Sequence, residues 1–475
     1  MYELTIPLNG AEPLYEQIYA YIRNQIKEKR LLAGTRLPST RKLAEHLGVS
    51  RSTTQLAYDQ LLAEGYLESE PCRGYYVAEL ETLFDLQPDK KQLQPEVSEK
   101  KKPWLVDFSP RGIDLESFPY GIWRKLSKSI LNDDNRELFS AGENKGDYEL
   151  RKAICTYLYG ARGVICRPEQ LIVGAGNEYL LMLLHQILGS QVIAMETPTY
   201  RQAYRVFERL GHQVVPVEMD GSGMQVRKLN ASGADIAYVM PSHQFPMGIV
   251  MPIRRRMELL SWAAVREDRY IIEDDYDSEF RYRGKPIPSL QSADAKGRVI
   301  YLGTFSRAIA PAIRVSYMML PQSLLEIYEK TCSFYASTVS RIDQRILAEF
   351  LSGGYYERHL NRMRGIYKAK HDELLAALSL LSEEFSVSGE HAGIHLLLTS
   401  RRGLAEKELV SRAESVGVRV YGLSEFDIGE KERIRKGNDE RAGTVLLGYA
   451  SLERREIKEG AALLAKAFGF PAFLR

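Results

Sequence analysis

This chain of 475 residues has little of several features that would place it in a specialised class of protein. Its four cysteines form no Cys-x-x-Cys pair, which argues against a structural metal site and against a disulfide-rich secreted fold. Basic and acidic side chains nearly balance, at 64 against 62, so the net charge indicates no particular partner. The most apolar helical stretch, residues 180–188, contains His185 and is too short to span a bilayer. Because the first residues lack a basic segment and an apolar core, we expect no signal peptide and a cytoplasmic protein.

The composition is that of a large folded protein with more than one domain. Hydrophobic residues make up 44% of the chain and aromatic residues 10%, which is enough for sizeable cores. Residues 79–103 differ from the rest, because they are rich in charge, poor in bulky apolar groups and include Pro88 and Pro95. Such a composition is typical of a solvated linker. We therefore predict a first domain over 1–78, a charged linker over 79–103 and a second domain over 104–475.

The first predicted domain contains three helical patterns followed by a hairpin pattern. Apolar spacing predicts a helix over 13–29, a second short helix begins at Thr40 and ends at Gly48, and Ser50 caps a third. Within the third helix we place four side chains in the core: Leu56, Tyr58, Leu61 and Leu62. Two short strand patterns follow, at 66–68 and 75–77. Two helices joined by a tight turn and followed by a two-stranded wing are the winged helix-turn-helix plan of DNA-binding proteins.

The second predicted domain alternates apolar strand patterns with helical stretches. This alternation favours an α/β domain with a largely parallel sheet. The strand candidates are 170–173, 192–195, 213–217, 236–240, 270–272, 299–301 and 316–320. A long helical region follows from about Ser333 to Leu380, and two later candidates, 394–398 and 444–447, indicate a smaller C-terminal α/β lobe.

The segment LPSTRKLAEHLGVSRSTTQLAYDQLLAEGYLESEPCRGYYV resembles the GntR family of bacterial regulators. Hydroxyl and basic side chains at the start of its third helix suit contacts to phosphates and base edges in a major groove, and a glycine at the wing tip permits close approach to a minor groove. The resemblance implies double-stranded operator DNA as a partner, contacted by Arg41, Ser50, Arg51, Ser52, Thr53, Gln55, Arg73 and Gly74. The alternative is that these are ordinary solvated side chains, since residues 1–78 hold nine basic and nine acidic residues and have no overall basic field.

The segments PSHQFPMGIVMP, YIIEDDYDSEF and VIYLGTFSRAIAPAIRVSYMMLP resemble the fold-type-I aminotransferases, which use pyridoxal 5'-phosphate (PLP). The closer likeness is to the MocR/GabR group of regulators, which fuse a GntR-type winged helix to an aminotransferase-like domain. The resemblance implies a fold-type-I domain with a largely parallel central sheet and a smaller C-terminal lobe. PLP is the cofactor that it implies.

Each residue matched to the PLP site has chemistry that suits its implied role. The carboxylate of Asp274 can keep a pyridine nitrogen protonated, the phenol of Tyr276 can donate to the 3-oxygen, and Tyr200 can stack on the ring. His243 belongs to a segment that lines the family's site, although a core histidine explains it equally well. Phosphate-binding roles fall to backbone N–H groups at a helix start and to a polar loop, formed by Ala175, Gly176, Asn177, Thr304, Ser306 and Arg314. We expect no metal ion.

One position departs from the family pattern. In the family, the residue after Thr-Phe-Ser is a lysine that forms a Schiff base with the cofactor, whereas this chain has Arg307. A lysine amine can lose its proton and attack, but a guanidinium stays protonated and is a very poor nucleophile. We therefore expect no catalytic residue, no transaminase turnover, and non-covalent binding of any PLP. Three explanations stay open: natural loss of the lysine, an introduced lysine-to-arginine change, and a cavity adapted to another ligand.

A second departure from the family pattern concerns the arginine that pairs with the carboxylate of the ligand. Two positions after the stacking tyrosine, where GabR-type proteins have an arginine, this chain has Gln202. The candidates to replace it are Arg201, Arg205, Arg435 and Arg441. The sequence therefore leaves the identity of the ligand open.

The two resemblances together predict a bacterial transcription regulator that responds to PLP, an amine or an amino acid. They imply a homodimer on operator DNA, in which the head of one subunit packs against the body of the other, as in a head-to-tail domain swap. Two alternatives stay open. One is a PLP-dependent aminotransferase with an accessory DNA-binding domain, or an inactive Lys-to-Arg form of one. The other is a DNA-binding protein whose second domain only dimerises.

Overall fold

The computed structural model describes residues 4, 6–9, 12–71, 73–79, 104–282, 287–429 and 443–470. The chain divides into two compact units, Met1–Lys101 and Lys102–Arg475, which we call the first and the second unit. Apart from Glu79, the predicted linker lies outside the described residues. None of the helices in the described part of the chain has both the length and the apolar character needed to cross a membrane.

Three helices and a hairpin build the first unit, as the sequence predicts. They are α1 (Leu14–Lys27), α2 (Thr40–Leu47), α3 (Arg51–Ala63), β1 (Leu67–Glu70) and β2 (Gly74–Val77). β1 and β2 pair antiparallel, with Leu67 opposite Val77. Ile18, Ile22 and Ile26 bury one face of α1, because residues four apart lie on the same side of a helix. The predicted winged helix-turn-helix is confirmed.

Short-range contacts specify the turn between α2 and α3. Ser39 Oγ accepts a hydrogen bond from the backbone N–H of Lys42 at 3.3 Å and caps the start of α2. Gly48, with φ of 65°, ends α2 in the left-handed conformation that glycine adopts without strain. Ser50 Oγ then accepts from the N–H of Thr53 at 3.2 Å and caps α3. The turn is therefore determined by residues that are adjacent in sequence.

Buried hydroxyl groups fix α3 against α2 and the wing. Thr54 Oγ1 donates to the carbonyl of Thr40 at 2.9 Å, and the Tyr58 hydroxyl donates to the carbonyl of Pro38 at 3.0 Å. The Tyr58 ring meets that of Tyr75 edge to face, with centroids 4.9 Å apart. These contacts set the orientation at which α3 presents its outer face.

The prediction that Leu56 lies in the core of the first unit is wrong. Its side chain is 56% exposed, whereas Tyr58 and Leu61 are fully buried and Leu62 is half-buried. At 3.6 residues per turn, Leu56 lies on the same side of α3 as Ser52, away from the face that Tyr58 and Leu61 bury. An apolar side chain on this outer face is therefore available to a partner.

The strands of the second unit form a large central sheet and smaller sheets. They are β3 (Val106–Asp107), β4 (Leu171–Gly174), β5 (Val192–Thr197), β6 (Gln213–Asp220), β7 (Gly223–Met224), β8 (Ile236–Val239), β9 (Tyr270–Asp275), β10 (Val299–Thr304), β11 (Ser316–Met319), β12 (Phe385–Ser388), β13 (His395–Ser400), β14 (Val418–Arg419), β15 (Tyr421–Gly422) and β16 (Thr444–Gly448). All nine predicted strand regions contain an observed strand.

The central sheet has the order β4-β11-β10-β9-β8-β5-β6-β7. β11 runs antiparallel to both of its neighbours and β7 antiparallel to β6, while the other neighbouring pairs are parallel. The predicted largely parallel sheet is confirmed. β12, β13, β16 and β15 form the sheet of the predicted C-terminal lobe, and β14 pairs with β3.

Helices cover both faces of the central sheet. They are α4 (Tyr120–Ile130), α5 (Tyr148–Arg162), α6 (Asn177–Leu188), α7 (Arg201–Arg209), α8 (Val226–Ala231), α9 (Ile253–Ala264), α10 (Gln322–Thr331), α11 (Arg341–Ser352), α12 (Tyr355–Leu378), α13 (Glu406–Ser415) and α14 (Arg454–Ala467). Successive residues of β9 join different cores: Ile271 packs in the cluster that contains Leu259 of α9, and Ile272 in the cluster that contains Leu184 of α6.

The long helical region predicted after Ser333 is two helices rather than one. α11 ends at Ser352 and α12 begins at Tyr355, because Gly354 between them adopts a φ of 66°. Residues 333–340 lie before α11 and are not helical. The two helices pack into the core that joins the central sheet to the smaller lobe.

Candidate functional site

The N-cap and the first five residues of α3 include five of the predicted DNA-contacting residues. They are Ser50, Arg51, Ser52, Thr53 and Gln55. Arg51 and Ser52 are exposed, and Ser50 Oγ lies 2.8 Å from both Ser52 Oγ and Thr53 Oγ1. The Arg51 guanidinium forms no ion pair with any residue that the structure describes, so it is available to an anionic partner.

The other predicted contacts lie on α2 and at the wing tip. Arg41 pairs with Glu45 at 3.2 Å and its side chain is 78% exposed, while Arg73 pairs with Glu70 at 3.3 Å. Exposed pairs of this kind contribute only about 0–1 kcal/mol, so both arginines can exchange their partners for phosphates at little cost. Gly74 has a φ of 118°, a conformation that a side chain would strain.

A cavity of about 380 Å³ opens at the carboxyl ends of the parallel strands in the second unit. Ligands of α/β proteins bind at this edge, because loops from several strands converge there. Nine of the eleven predicted cofactor residues line it: Gly176, Asn177, Tyr200, Asp274, Tyr276, Thr304, Ser306, Arg307 and Arg314. They lie in the last residues of β9 and β10 or in the segments that follow β4, β5, β9 and β10, so the fold collects residues that are 138 positions apart in sequence, from 176 to 314.

Asp274 supplies a buried carboxyl group at the base of the cavity. It is 3% exposed, and its Oδ2 accepts a hydrogen bond from the Tyr238 hydroxyl. Its Oδ1 is buried and forms no hydrogen bond with the described residues. Burial raises the pKa of Asp274 to about 7, because a carboxylate loses its hydration there, while the bond from Tyr238 opposes that rise. An N–H donor in the cavity would satisfy Oδ1.

Aromatic side chains form the walls above this carboxyl group. Tyr200 and Phe245 meet nearly perpendicular with ring centroids 6.4 Å apart, and Phe245 meets Tyr276 in the same way at 6.0 Å. Burial raises the pKa values of Tyr200 and Tyr276, so both phenols stay protonated and can donate hydrogen bonds. The walls therefore suit a flat ring that carries an acceptor oxygen.

A second group of polar side chains lines the cavity. Thr304 Oγ1 accepts from the N–H of Ser306 at 3.1 Å and from Ser316 Oγ at 2.9 Å. Arg314 takes a left-handed conformation, with φ of 53°, and donates to Glu178 Oε2 at 3.0 Å. A Cβ on Gly176 would approach a nitrogen of the Arg314 guanidinium, so the glycine leaves room for that group. Hydroxyl groups and a guanidinium in this arrangement can bind a phosphate.

Ala175 does not line the cavity. Its N–H donates to Thr338 Oγ1 at 3.0 Å, and the N–H of Gly176 donates to the carbonyl of Gly174 at 2.8 Å. The predicted role of these two N–H groups in phosphate binding therefore conflicts with the bonds that they form. Asn177 begins α6, where the first N–H groups have no partner within the helix and the helix dipole favours an anion.

His243 also lies outside the cavity lining, directly behind Tyr276. Its Nδ1 is 3.0 Å from the Tyr276 hydroxyl and 2.9 Å from Asp277 Oδ2, and the side chains of His243 and Asp277 are almost fully buried. The histidine is therefore buried beside a predicted ring-binding residue and does not itself line the cavity.

Arg307 lines the cavity at the position of the expected lysine. It is half-buried, and its Nη1 donates to the carbonyl of Pro110 at 3.1 Å. Among the described residues that line the cavity there is no lysine. Lys296 lies exposed before β10, at the other end of that strand, and Lys285 lies outside the described residues. No described amine is therefore placed to replace the missing one.

Several lining residues were not predicted. They are Arg111, Glu178, Gln202, Met240, Phe245, Pro311 and Ser316. Phe245 lies in a segment that the sequence connects to the site, so its aromatic ring could have been proposed. Arg111 follows β3, far from the other site residues in sequence, and no local signal indicates its position. Of the candidate arginines, Arg435 and Arg441 lie outside the described residues.

Replacing Asp274 by asparagine is expected to stabilise the cofactor-free protein at pH 8. The folded-state pKa of about 7 exceeds the ordinary value of 3.8, so the unfolded chain releases this proton at lower pH than the folded chain. The free energy of unfolding therefore falls as pH rises from about 4 to 7, and Asp274→Asn removes that loss. We expect a gain of about 1–3 kcal/mol at pH 8 that vanishes near pH 4.

Thermal unfolding between pH 4 and pH 8 measures this difference. Asp268→Asn is the control, because Arg266 lowers the pKa of that exposed carboxyl group and no gain at high pH is expected. If the thermal unfolding midpoint of Asp274→Asn at pH 8 is no higher than that of the wild-type protein, the buried carboxyl group does not destabilise the fold at that pH.

Family comparisons agree with the two-unit architecture. Residues 14–77 match the family described as Bacterial regulatory proteins, gntR family, and residues 119–439 match Aminotransferase class I and II. Over 460 residues the chain is 39% identical to the uncharacterized HTH-type transcriptional regulator YdeL of Bacillus subtilis, an alignment that covers 96% of this chain and 97% of that protein. It is 32% identical over 482 residues to the probable rhizopine catabolism regulatory protein MocR of Rhizobium meliloti, with 98% and 96% covered.

A solved structure shows the fold of the second unit independently. The kynurenine aminotransferase of Pyrococcus horikoshii is similar with a TM-score of 0.67 at 24% sequence identity, covering 81% of this chain and 98% of that protein. The predicted fold-type-I aminotransferase fold is confirmed.

Proposed function

The chain belongs to the MocR-type transcriptional regulators, which join a GntR-type helix-turn-helix unit to an aminotransferase-like unit, and on this basis we propose that it regulates transcription in response to PLP and an amino compound. One observation carries the proposal. The cavity of the second unit retains groups that suit the ring and the phosphate of PLP, yet Arg307 stands where the covalent attachment point would be. Such a cavity can bind and sense a ligand without turning it over.

The described residues fit PLP at both ends. The buried Oδ1 of Asp274 lacks a partner and would accept the protonated ring nitrogen, while Tyr200 and Tyr276 would contact the ring and its 3-oxygen. Thr304 and Arg314, beside the space left by Gly176, would hold the phosphate. When bound, PLP supplies an aldehyde that reacts with amines.

Arg307 would hold the cofactor without a covalent bond. A guanidinium remains protonated at neutral pH, so it can neither attack an aldehyde nor relay the proton that transamination requires. The lining of the cavity, which has Arg307 and no lysine among the described residues, supports a binding role for the second unit in place of transaminase turnover. The guanidinium can still attract an anionic group of the ligand.

Operator recognition is assigned to the first unit. The outer face of α3, with Arg51 and Ser52, suits a major groove, and Arg73 and Gly74 of the wing suit a neighbouring minor groove. Membership of the family supports a homodimer, with two half-sites in the operator and heads exchanged between subunits. Ligand binding would alter DNA affinity to the extent that the ligand prefers one arrangement of the dimer.

Selection from a random-sequence duplex pool tests this function with the full-length protein. We expect enrichment of a sequence with two related half-sites, and a binding constant for it that exceeds that of a scrambled duplex by at least about a thousandfold. Equal affinity for both duplexes would contradict sequence-specific regulation.

A further inference from the structure

A second cavity adjoins the PLP cavity and has an unusual charge. Its volume is about 390 Å³, and we call it the arginine chamber after five lining residues: Arg111, Arg201, Arg205, Arg307 and Arg419. Among the described residues of its lining, Glu425 is the one acidic side chain. Solvent screens the mutual repulsion of Arg111, Arg205 and Arg419, which are exposed, but an anionic occupant would exchange that solvent for charge-assisted hydrogen bonds.

Three of these arginines form no ion pair within the part of the chain that the structure describes. Arg419 lies 3.6 Å from Asp107, and the carboxylate of Glu425 accepts from the backbone N–H of Gly422 at 3.1 Å. By contrast, the guanidinium groups of Arg111, Arg205 and Arg307 form no ion pair with any described residue, and Arg307 donates only to the carbonyl of Pro110. The chamber therefore presents several charge-assisted donors that the described protein leaves unused.

The arginine chamber is continuous with the PLP cavity. Five residues line both: Arg111, Tyr200, Gln202, Phe245 and Arg307. An occupant of the chamber would therefore contact the residue that replaces the lysine and the aromatic wall of the PLP site. Its acidic groups would lie against arginines on three separate segments, around positions 111, 205 and 307.

We propose that the arginine chamber binds a small metabolite with two or more acidic groups, carboxylate or phosphate, and that this compound is a further effector of the regulator besides PLP. A volume of about 390 Å³ suits a small molecule and is too small for a nucleic acid or a folded protein partner. One acidic group cannot neutralise three unpaired guanidinium groups, whereas two or three can, and bidentate contacts to arginine add geometric selectivity. The effector assignment rests on the proposed regulatory function, but the binding of the anion does not.

Isothermal titration of the full-length protein tests the chamber directly. The probes are glutarate, with two carboxylates, 3-phosphoglycerate, with a carboxylate and a phosphate, and butyrate, with one carboxylate. We expect at least one of the dianions to bind roughly tenfold or more tightly than butyrate. The ranking of glutarate against 3-phosphoglycerate distinguishes a dicarboxylate from a phosphorylated effector.

Variants on one helix separate the chamber from general charge effects. Arg205→Gln should weaken the preferred dianion by roughly tenfold or more, since it removes a charged donor from the lining. Arg209→Gln, one turn further along α7 and outside both cavities, is the matched control and should leave affinity unchanged. Thermal midpoints of both variants verify that they fold.

Arg314→Gln distinguishes the chamber from the phosphate end of the PLP cavity. If the dianion binds there instead, this variant loses affinity while Arg205→Gln keeps it, and the proposal is overturned. Equal binding of butyrate and both dianions, or no binding of any probe, also overturns it. Specific DNA binding by the same preparation is measured in parallel, so a failed titration with intact DNA binding refutes the chamber and leaves the proposed regulatory function standing.

Discussion

Arg307→Lys is expected to convert the protein from one that holds no covalent cofactor to one that holds nearly one PLP per chain. The lysine amine, unlike the guanidinium, can lose its proton and attack the cofactor aldehyde. The groups that suit the ring and the phosphate are already in place around residue 307, so only the nucleophile is missing. Borohydride reduction after incubation with PLP, followed by peptide mass spectrometry, measures how much cofactor is fixed and where.

The wild-type chain and an Arg307→Gln variant are the controls. Neither offers an amine at position 307, so we expect no cofactor fixed to the cavity in either. If wild type fixes PLP at a specific lysine, the proposal of non-covalent binding is wrong. If Arg307→Lys fixes none, the cavity does not place the PLP aldehyde beside residue 307, and adaptation to another ligand becomes the better explanation.

Arg51→Ala is expected to weaken binding to the selected operator by about 1–3 kcal/mol, which is roughly five- to 150-fold in affinity. Arg51 is the first residue of α3, exposed and unpaired among the described residues, and the caps of α3 hold its backbone in place. A loss that is larger for the operator than for scrambled DNA indicates a base contact. A uniform loss with a shallower salt dependence indicates a phosphate contact.

Arg30→Ala is the matched control for this measurement. Arg30 is an exposed arginine of the same unit that pairs with Glu28 at 3.2 Å and belongs neither to α2, to α3 nor to the wing, so its removal should change operator affinity little. Equal losses in the two variants would mean that general charge, and not the outer face of α3, determines binding. Unchanged affinity for Arg51→Ala would contradict the assignment of this residue.

The features that the sequence predicts well depend on residues close together in the chain. Ser39, Gly48 and Ser50 determine the helix-turn-helix through caps and a left-handed turn, and each acts within four residues of its partner. The buried apolar strands β4, β5 and β8 are equally readable, because each is a short apolar run followed by a helix. Asp274 could be placed because it lies at the carboxyl end of such a strand, where α/β proteins bind ligands.

The features that escaped prediction depend on contacts between distant segments. Arg111 lines the cavity although it is distant in sequence from the other lining residues. The hydrogen bond from Arg307 to Pro110 likewise joins residues almost 200 positions apart. No spacing rule indicates either contact. Leu56 is exposed because it lies on the outer face of α3. The hydrogen bonds of Thr54 and Tyr58 to the carbonyls of Thr40 and Pro38 determine which face of the helix points outward.

The central claim is that a ligand in the second unit controls DNA binding by the first. The most direct test is the affinity of the full-length wild-type protein for its selected operator, measured with and without saturating PLP at one salt concentration. We expect PLP to change that affinity by about tenfold or more, a coupling free energy of roughly 1.4 kcal/mol, and Asp274→Asn to require more PLP for the same change. Identical operator affinity with and without PLP, in a protein shown to bind PLP, would contradict the account.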